Sequence, residues 1–318
     1  MLRKDENKLY LNFHNKLIAE NLICNDDNIS IQKIHPKIQN DKIIYHYIVT
    51  NENTNTKYLI RTLKEKDYSY AVMDSLNLLN IKSGKEIFPC ALTPPFTIEK
   101  NSYIITTYLD GEDLESRIEL ISNEELLDLS YGIDKNLKLV HSVTNDKYSE
   151  GIFGTEELFV DVMCKKFAIQ FYNPKNIFFK GIELEKLLDI INSILSQSQF
   201  SKPTLVHMDI KPANIIVSPQ KETHLIDFEL SRFADLDYEW TNLLIKTIHT
   251  NNKRYKQYVL NPIIEKNFLS LDKAILIDKY KVYLLYLAIN KYLYCCKSKS
   301  HCPDSIINLI NHITKELI

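Results

Sequence analysis

Leu205-Val-His-Met-Asp-Ile-Lys-Pro-Ala-Asn-Ile-Ile-Val217, followed after a polar turn by His224-Leu-Ile-Asp-Phe-Glu-Leu230, is the stretch that decides the fold of this chain. His207, Asp209 and Asn214 stand in it as H-x-D-x-x-x-x-N, and Asp227 lies 18 residues beyond Asp209. The apolar runs Ile215 to Val217 and His224 to Ile226 flank the turn and predict a short hairpin. Two separated motifs joined by a hairpin are a far more specific signal than either motif alone.

Upstream of this segment, residues 6 to 22 space Leu9, Phe13 and Leu17 four apart, the period of an amphipathic helix. Two strand-like runs follow, Ile29 to Ile38 and Ile43 to Thr50, then the polar turn Asn51-Glu-Asn-Thr-Asn55 and a third run from Lys57 to Leu63. They predict a small antiparallel meander. Val72, Leu76 and Leu79 predict a helix within residues 68 to 81, and the β-branched and aromatic run from Ser102 to Tyr108 leads into Leu109-Asp110-Gly111. From residue 112 the pattern changes to long helical periods, such as Glu124 to His141 and Glu183 to Leu195, interrupted once by the hairpin. Strands first and helices afterwards read as an α+β chain, divided into an N-terminal part over 1–109 and a C-terminal part over 110–318.

The 318 residues are 45% hydrophobic and 25% charged, enough for one large core or two modest ones. A net charge of −2 supplies no overall basic field for nucleic acid. The first 22 residues lack the apolar core and cleavage site of a signal peptide, and the apolar stretch near the C-terminus is broken by lysines and too short to span a bilayer. A cytoplasmic protein without membrane partners is expected. The six cysteines suit reduced thiols, and Cys295, Cys296, His301 and Cys302 do not complete a zinc site at usual spacing.

His207, Asp209 and Asn214 together with Asp227 resemble the catalytic loop and metal-binding loop of the protein-kinase-like superfamily. The resemblance implies a two-lobed fold, with a small antiparallel sheet in a nucleotide-binding N-lobe and a mainly helical catalytic and acceptor-binding C-lobe. Phosphoryl transfer asks a protein to position reactants and neutralise charge, so it needs oxygen ligands for Mg²⁺ and a carboxylate near the attacking hydroxyl. By resemblance, Asp209 orients and deprotonates that hydroxyl, Asn214 and Asp227 bind Mg²⁺, and His207 braces the loop. Lys211 matches the loop lysine that meets the γ-phosphate. The third strand implies a cation for the nucleotide phosphates, with Arg61 favoured and Lys64 on the opposite face, and its carboxylate partner is open among Asp74, Glu65 and Asp67. The turn from His35 to Lys42 has no glycine, which departs from the Gly-rich loop of protein kinases.

Ile105-Thr-Thr-Tyr-Leu-Asp-Gly-Glu-Asp-Leu114 resembles the hinge of aminoglycoside and choline kinases, where a strand offers backbone groups to the base, here around Tyr108 and Leu109. Leu137-Lys-Leu-Val-His141 resembles a helix end of the same families. The Asp-Phe-Glu variant at Asp227 is similar to choline and ethanolamine kinases, and Asp235 to Trp240 resembles the acceptor-side segment of aminoglycoside phosphotransferases. No A-P-E segment follows. These likenesses imply a small-molecule kinase using ATP or GTP, with a protein Ser/Thr kinase or a catalytically weak nucleotide-binding pseudokinase as alternatives. Five carboxylates (227, 229, 235, 237, 239) against Arg232 give a local charge of −4. That field, with Asp235, Glu239 and Trp240 facing the acceptor, favours a cationic hydroxyl compound, aminoglycoside-like or choline-like. The competing reading makes Asp235 a helix cap and Trp240 a core residue.

Overall fold

The computed structural model describes residues 2–34, 37–39, 42–63, 76–77, 79–81, 87–148, 159–179, 182–268 and 273–318. The chain forms two compact units, one of Met1–Gly111 with His224–Glu229, the other of Glu112–Thr223 with Leu230–Ile318. The mixed α+β architecture is the two-lobed kinase-like fold expected from the motifs.

In the first unit, helix α1 (Leu2–Ala19) precedes strands β1 (Ile29–Lys33), β2 (Lys37–Gln39), β3 (Lys42–Ile44), β4 (Tyr47–Asn51), β5 (Thr56–Leu63), β6 (Phe96–Ile98) and β7 (Asn101–Thr107). The sheet runs β1-β4-β5-β7-β6, all antiparallel, and β2 pairs β3 as a separate hairpin. Alternation on β4 buries Tyr47, Val49 and Asn51 on one face. Phe13 of α1 lies with its ring 5.1 Å from both Tyr47 and Tyr103. Leu17, Val49, Ile60 and Ile105 complete this core. The polar turn after β4 is shaped by Asn51, whose side-chain oxygen accepts from the backbone N–H groups of Asn53 and Thr54 at 3.0 and 3.2 Å. Register places Arg61 opposite Ile104 in the middle of the sheet. Most of the helix expected at 68–81, with Lys64, Glu65, Asp67 and Asp74, falls outside the described residues.

The first stretch of the first unit ends at Gly111, whose φ of 146° only glycine adopts readily. The second unit begins with the two-residue strand β8 (Glu112–Asp113), which pairs against β10 (Ile215–Val217), the strand before the turn that leads to β11 (Thr223–Leu225). The helix α2 (Asn123–His141) buries Leu126, Leu129, Ile133, Leu137 and Val140, an unbroken stripe at helical spacing. Its start is capped by Ser122, which accepts from the Glu125 N–H, and Lys138 and His141 suit the negative end of its dipole. The long helix α5 (Lys273–Ser298) packs on α3 (Leu184–Gln197), α4 (Leu236–His249) and α6 (Asp304–Leu317), around a core that includes Val282, Tyr283 and Leu285. One strand pair went unread in the sequence, β9 (Thr204–Val206) with β12 (Arg232–Ala234). Three residues in each strand are too few to show a period of two.

Gly132 on α2 is a sensitive point of this unit. A Cβ there meets Thr223 Oγ1 at 2.7 Å, and Thr223 is a stiff β-branched residue tied to Asn136 Nδ2 through its carbonyl and hydroxyl. Helix propensity favours Gly132→Ala by about 1 kcal/mol, while overpacking costs about 1 to 3 kcal/mol. The clash is therefore expected to win. Gly132→Ala should lower the urea midpoint, and a midpoint at or above that of the native protein would show that Thr223 yields freely.

Candidate active site

The register of β9 with β12 builds the site. It brings His207, the residue after β9, beside the start of α4, which follows β12. From the first turn of α4, Glu239 reaches the loop. Its carboxylate accepts from the His207 N–H at 3.0 Å and the Met208 N–H at 2.9 Å, and its Oε2 meets His141 Nε2 at 2.7 Å. One turn on, Asn242 Nδ2 donates to the Met208 carbonyl at 2.7 Å. Met208 is thereby held at φ 66°, a left-handed conformation that costs a bulky residue about 1 to 2 kcal/mol. This bend aims Asp209 away from the core.

Asp209 stands among three donors. Lys211 Nζ and Asn214 Nδ2 reach its Oδ2 at 2.6 and 2.9 Å, and Lys246 Nζ lies 3.4 Å from its Oδ1 while donating to the Ile210 carbonyl at 3.0 Å. Burial pushes the Asp209 carboxyl up, but the charges of Lys246 and Lys211 outweigh it and hold the group below the ordinary carboxylate range. Burial lowers the Lys246 ammonium, opposed by the charge of Asp209. His207 is fully buried, and its Nδ1 accepts from the Asp209 N–H at 3.3 Å. The Asn214 amide NH₂ also donates to the Asp209 carbonyl, so its Oδ1 points away from those bonds.

The three residues expected to face an acceptor make their contacts inside the fold. Asp235 is fully buried, taking the Ser201 N–H and hydroxyl on Oδ1 and Lys279 Nζ and the Tyr283 hydroxyl on Oδ2. It occupies the N-cap position of α4 without making a side-chain cap bond. Glu239 is fully buried behind the loop, and Trp240, 4% exposed, packs edge-on against His141 with ring centres 5.0 Å apart. Asp235 and Glu239 thus commit their carboxylate oxygens to partners within the fold.

In the first unit, the Arg61 guanidinium lies 3.4 Å from Asp227 Oδ1. Asp227 has φ 65°, and the neighbouring Phe228 ring packs edge-on against Phe88. His224 Nδ1 meets the Ile87 carbonyl at 3.1 Å. Tyr108 and Leu109 follow β7 directly, half-buried, with Lys57 Nζ 5.4 Å from the Tyr108 ring and 2.9 Å from Asp110. Taken singly, each side chain has the oxygen chemistry that Mg²⁺ prefers: Asp227, in the first unit, is a carboxylate, and Asn214, in the second, is a side-chain carbonyl whose NH₂ is already committed.

The class that the architecture defines is the two-lobed kinase-like fold. The chain belongs to the phosphotransferase enzyme family, whose model matches residues 89–258, more than half its length. No curated protein matches the sequence. Among solved structures, an ethanolamine kinase from Plasmodium vivax is 19% identical, with 98% of this chain and 89% of that one covered and a TM-score of 0.56. A mutant aminoglycoside phosphotransferase APH(4)-Ia, in ternary complex with ADP and hygromycin B, is 12% identical over 91% of this chain and 93% of that one, with a TM-score of 0.63. The choline kinase LicA from Streptococcus pneumoniae is 17% identical over 95% of this chain and 98% of that one, with a TM-score of 0.52. At these identities the likeness establishes the fold. Among the described residues, no helix is long and apolar enough to cross a membrane.

Sequence reading missed Asn242 and Lys246, and gave Glu239 the wrong duty. Their spacing, three and then four apart, marks one face of α4, and that signal was available. Leaving buried donors unsatisfied costs about 1 to 3 kcal/mol, and more around a charge, and Gln cannot accept from His207, Met208 and His141 as a carboxylate does. Glu239→Gln is therefore expected to cost about 3 kcal/mol in urea unfolding at pH 7. Burial would raise the Glu239 pKa, but the hydrogen bond and charge of His141 hold it below the ordinary glutamate range. Its contribution is thus full above that range and fades as pH falls through the depressed value. The stability gap between native protein and variant should narrow in acid, and a gap constant with pH would remove the charge from the account.

Proposed function

We propose that this chain is a Mg²⁺-dependent kinase that transfers the γ-phosphate of ATP or GTP to a hydroxyl of a small molecule. The observation that carries the reading is the Asp209 carboxylate, kept ionised by Lys211, Lys246 and Asn214 at the mouth of a cavity of about 580 Å³. Family membership and the kinase-like fold support it. So do the relatives' own partners, since the aminoglycoside phosphotransferase was solved with ADP and hygromycin B.

The acceptor hydroxyl oxygen attacks the γ-phosphorus, the bond from that phosphorus to the β,γ-bridging oxygen breaks, and the nucleoside diphosphate leaves with the electron pair. The hydroxyl proton passes to Asp209. A carboxylate held below its ordinary pKa is a weak base, so Asp209 acts mainly by orienting the hydroxyl and accepts the proton as the new P–O bond forms. Lys211, 2.6 Å from Asp209, is placed to balance charge on the transferred group. Bound Mg²⁺ supplies neutralisation of the phosphate oxygens, with Asn214 and Asp227 as its proposed ligands. Arg61, beside Asp227, is the proposed phosphate-binding cation, and Tyr108 and Leu109 offer the backbone for the base.

Asp209→Asn should lower kcat by about a hundredfold or more, since general-base contributions are about 10² to 10⁴, and leave nucleotide affinity within a few-fold. Near-normal turnover in this variant would remove Asp209 from the mechanism. For the metal, nucleotide titrated into Asp227→Ala with and without Mg²⁺ should show the enhancement by Mg²⁺ largely lost. Equal enhancement in variant and native protein would place the metal on another residue.

A further inference from the structure

The cavity beside Asp209 lies wholly within the second unit, and its charged lining has an unusual sign. Among the described residues that line it, Lys211, Lys246 and Lys291 stand against the carboxylate of Asp209, a net charge of +2. Both oxygens of Asp209 are already engaged by Lys211, Asn214 and Lys246. Lys291 has no carboxylate partner among the described residues. Its ammonium lies 5.7 Å from the ring of Tyr294, which lines the same cavity. The Tyr255 hydroxyl, also on the lining residues, is buried without a hydrogen-bond partner among the described residues.

We propose that this cavity takes a hydroxyl compound bearing an anionic group, a carboxylate or a phosphate, and that Lys291 is the residue that selects it. The proposal rests on the kinase reading, because it takes the cavity next to Asp209 as the acceptor site. Cationic acceptors are disfavoured there by like charge, and the carboxylates that would have welcomed them are buried in contacts of their own. The titration of His249, one turn beyond Lys246, agrees with a positive interior. Burial pushes it down to about 4, and the charges of Lys291 and Lys246 push the same way. Burial raises the Tyr255 hydroxyl, which stays a proton donor suited to an anionic oxygen.

The test uses four polyols of matched length: sorbitol, gluconate, sorbitol 6-phosphate and glucamine. Binding to the full chain is measured by calorimetry with a non-hydrolysable ATP analogue and Mg²⁺ present, and phosphoryl transfer from ATP is measured separately. At least one of the two anions is expected to bind tenfold or more tighter than glucamine, with sorbitol between, and which anion leads identifies the group. Lys291→Gln should cut the preference for that anion over sorbitol at least threefold while leaving affinity for the analogue within twofold. Glucamine binding as well as either anion, no measurable difference among the four, or a preference unchanged in Lys291→Gln would overturn the proposal. Charge selection by binding without phosphoryl transfer to any hydroxyl would instead overturn the kinase reading, and transfer to glucamine alone would leave that reading standing while this one fails.

Discussion

A carboxylate with no exposure to water holds the loop from His207 to Asn214 in shape. Glu239 is charged in the interior, an arrangement that stands only because the His207 and Met208 N–H groups and His141 Nε2 converge on it. The gain is conformational. Two backbone donors fastened from one side and the Met208 carbonyl fastened by Asn242 leave the loop one path, through a positive φ at Met208, and that path sets the direction of Asp209. Lys246, on the same helix face, then meets both Asp209 and the Ile210 carbonyl. One helix thus fixes the loop's backbone, its bend and the ionisation of its functional side chain. The β9–β12 pairing puts that helix beside the loop.

The first unit obeys a similar economy with a different chemistry. Arg61 sits in the middle of a five-stranded sheet, 9% exposed, and meets Asp227, a residue 166 positions later in the chain. A guanidinium in such a place needs an anion. Asp227, itself at a positive φ, stands next to Phe228, whose ring is anchored on Phe88.

Much of the fold was legible because the signals were local. The alternation of β4, the run of β5 and the leucine spacing of α2 each lie within one element, where period and propensity decide. Asp209, Asn214 and Asp227 were legible through fixed spacing around a hairpin. Glu239 was misjudged for a physical reason: sequence shows that a carboxylate is present and hides whether its charge faces water or a backbone amide. A stretch rich in acids was therefore read as a field, although Asp235 and Glu239 are each neutralised within a few ångströms. The partner of Lys246 and the pairing of Arg61 with Asp227 are long-range, so local spacing can mark a helix face without showing what that face meets. Lys291, on a helix whose apolar pattern is that of core, gave no reason to single it out.

The membership of His224–Glu229 in the first unit has a consequence for how the chain is made. Chain synthesis delivers Met1–Gly111 early, with the sheet and its helix, yet Arg61 lacks its Asp227, Phe88 its Phe228 and the Ile87 carbonyl its His224 until that segment has left the ribosome. The N-terminal unit must therefore wait, incompletely paired, while nearly all of Glu112–Thr223 is translated. Its last contacts close loops of more than a hundred residues, and contacts of such sequence separation form slowly. The first unit is consequently completed only after a long stretch of the second exists, and a nascent chain stalled before residue 224 holds a five-stranded sheet whose Arg61 has not yet met Asp227.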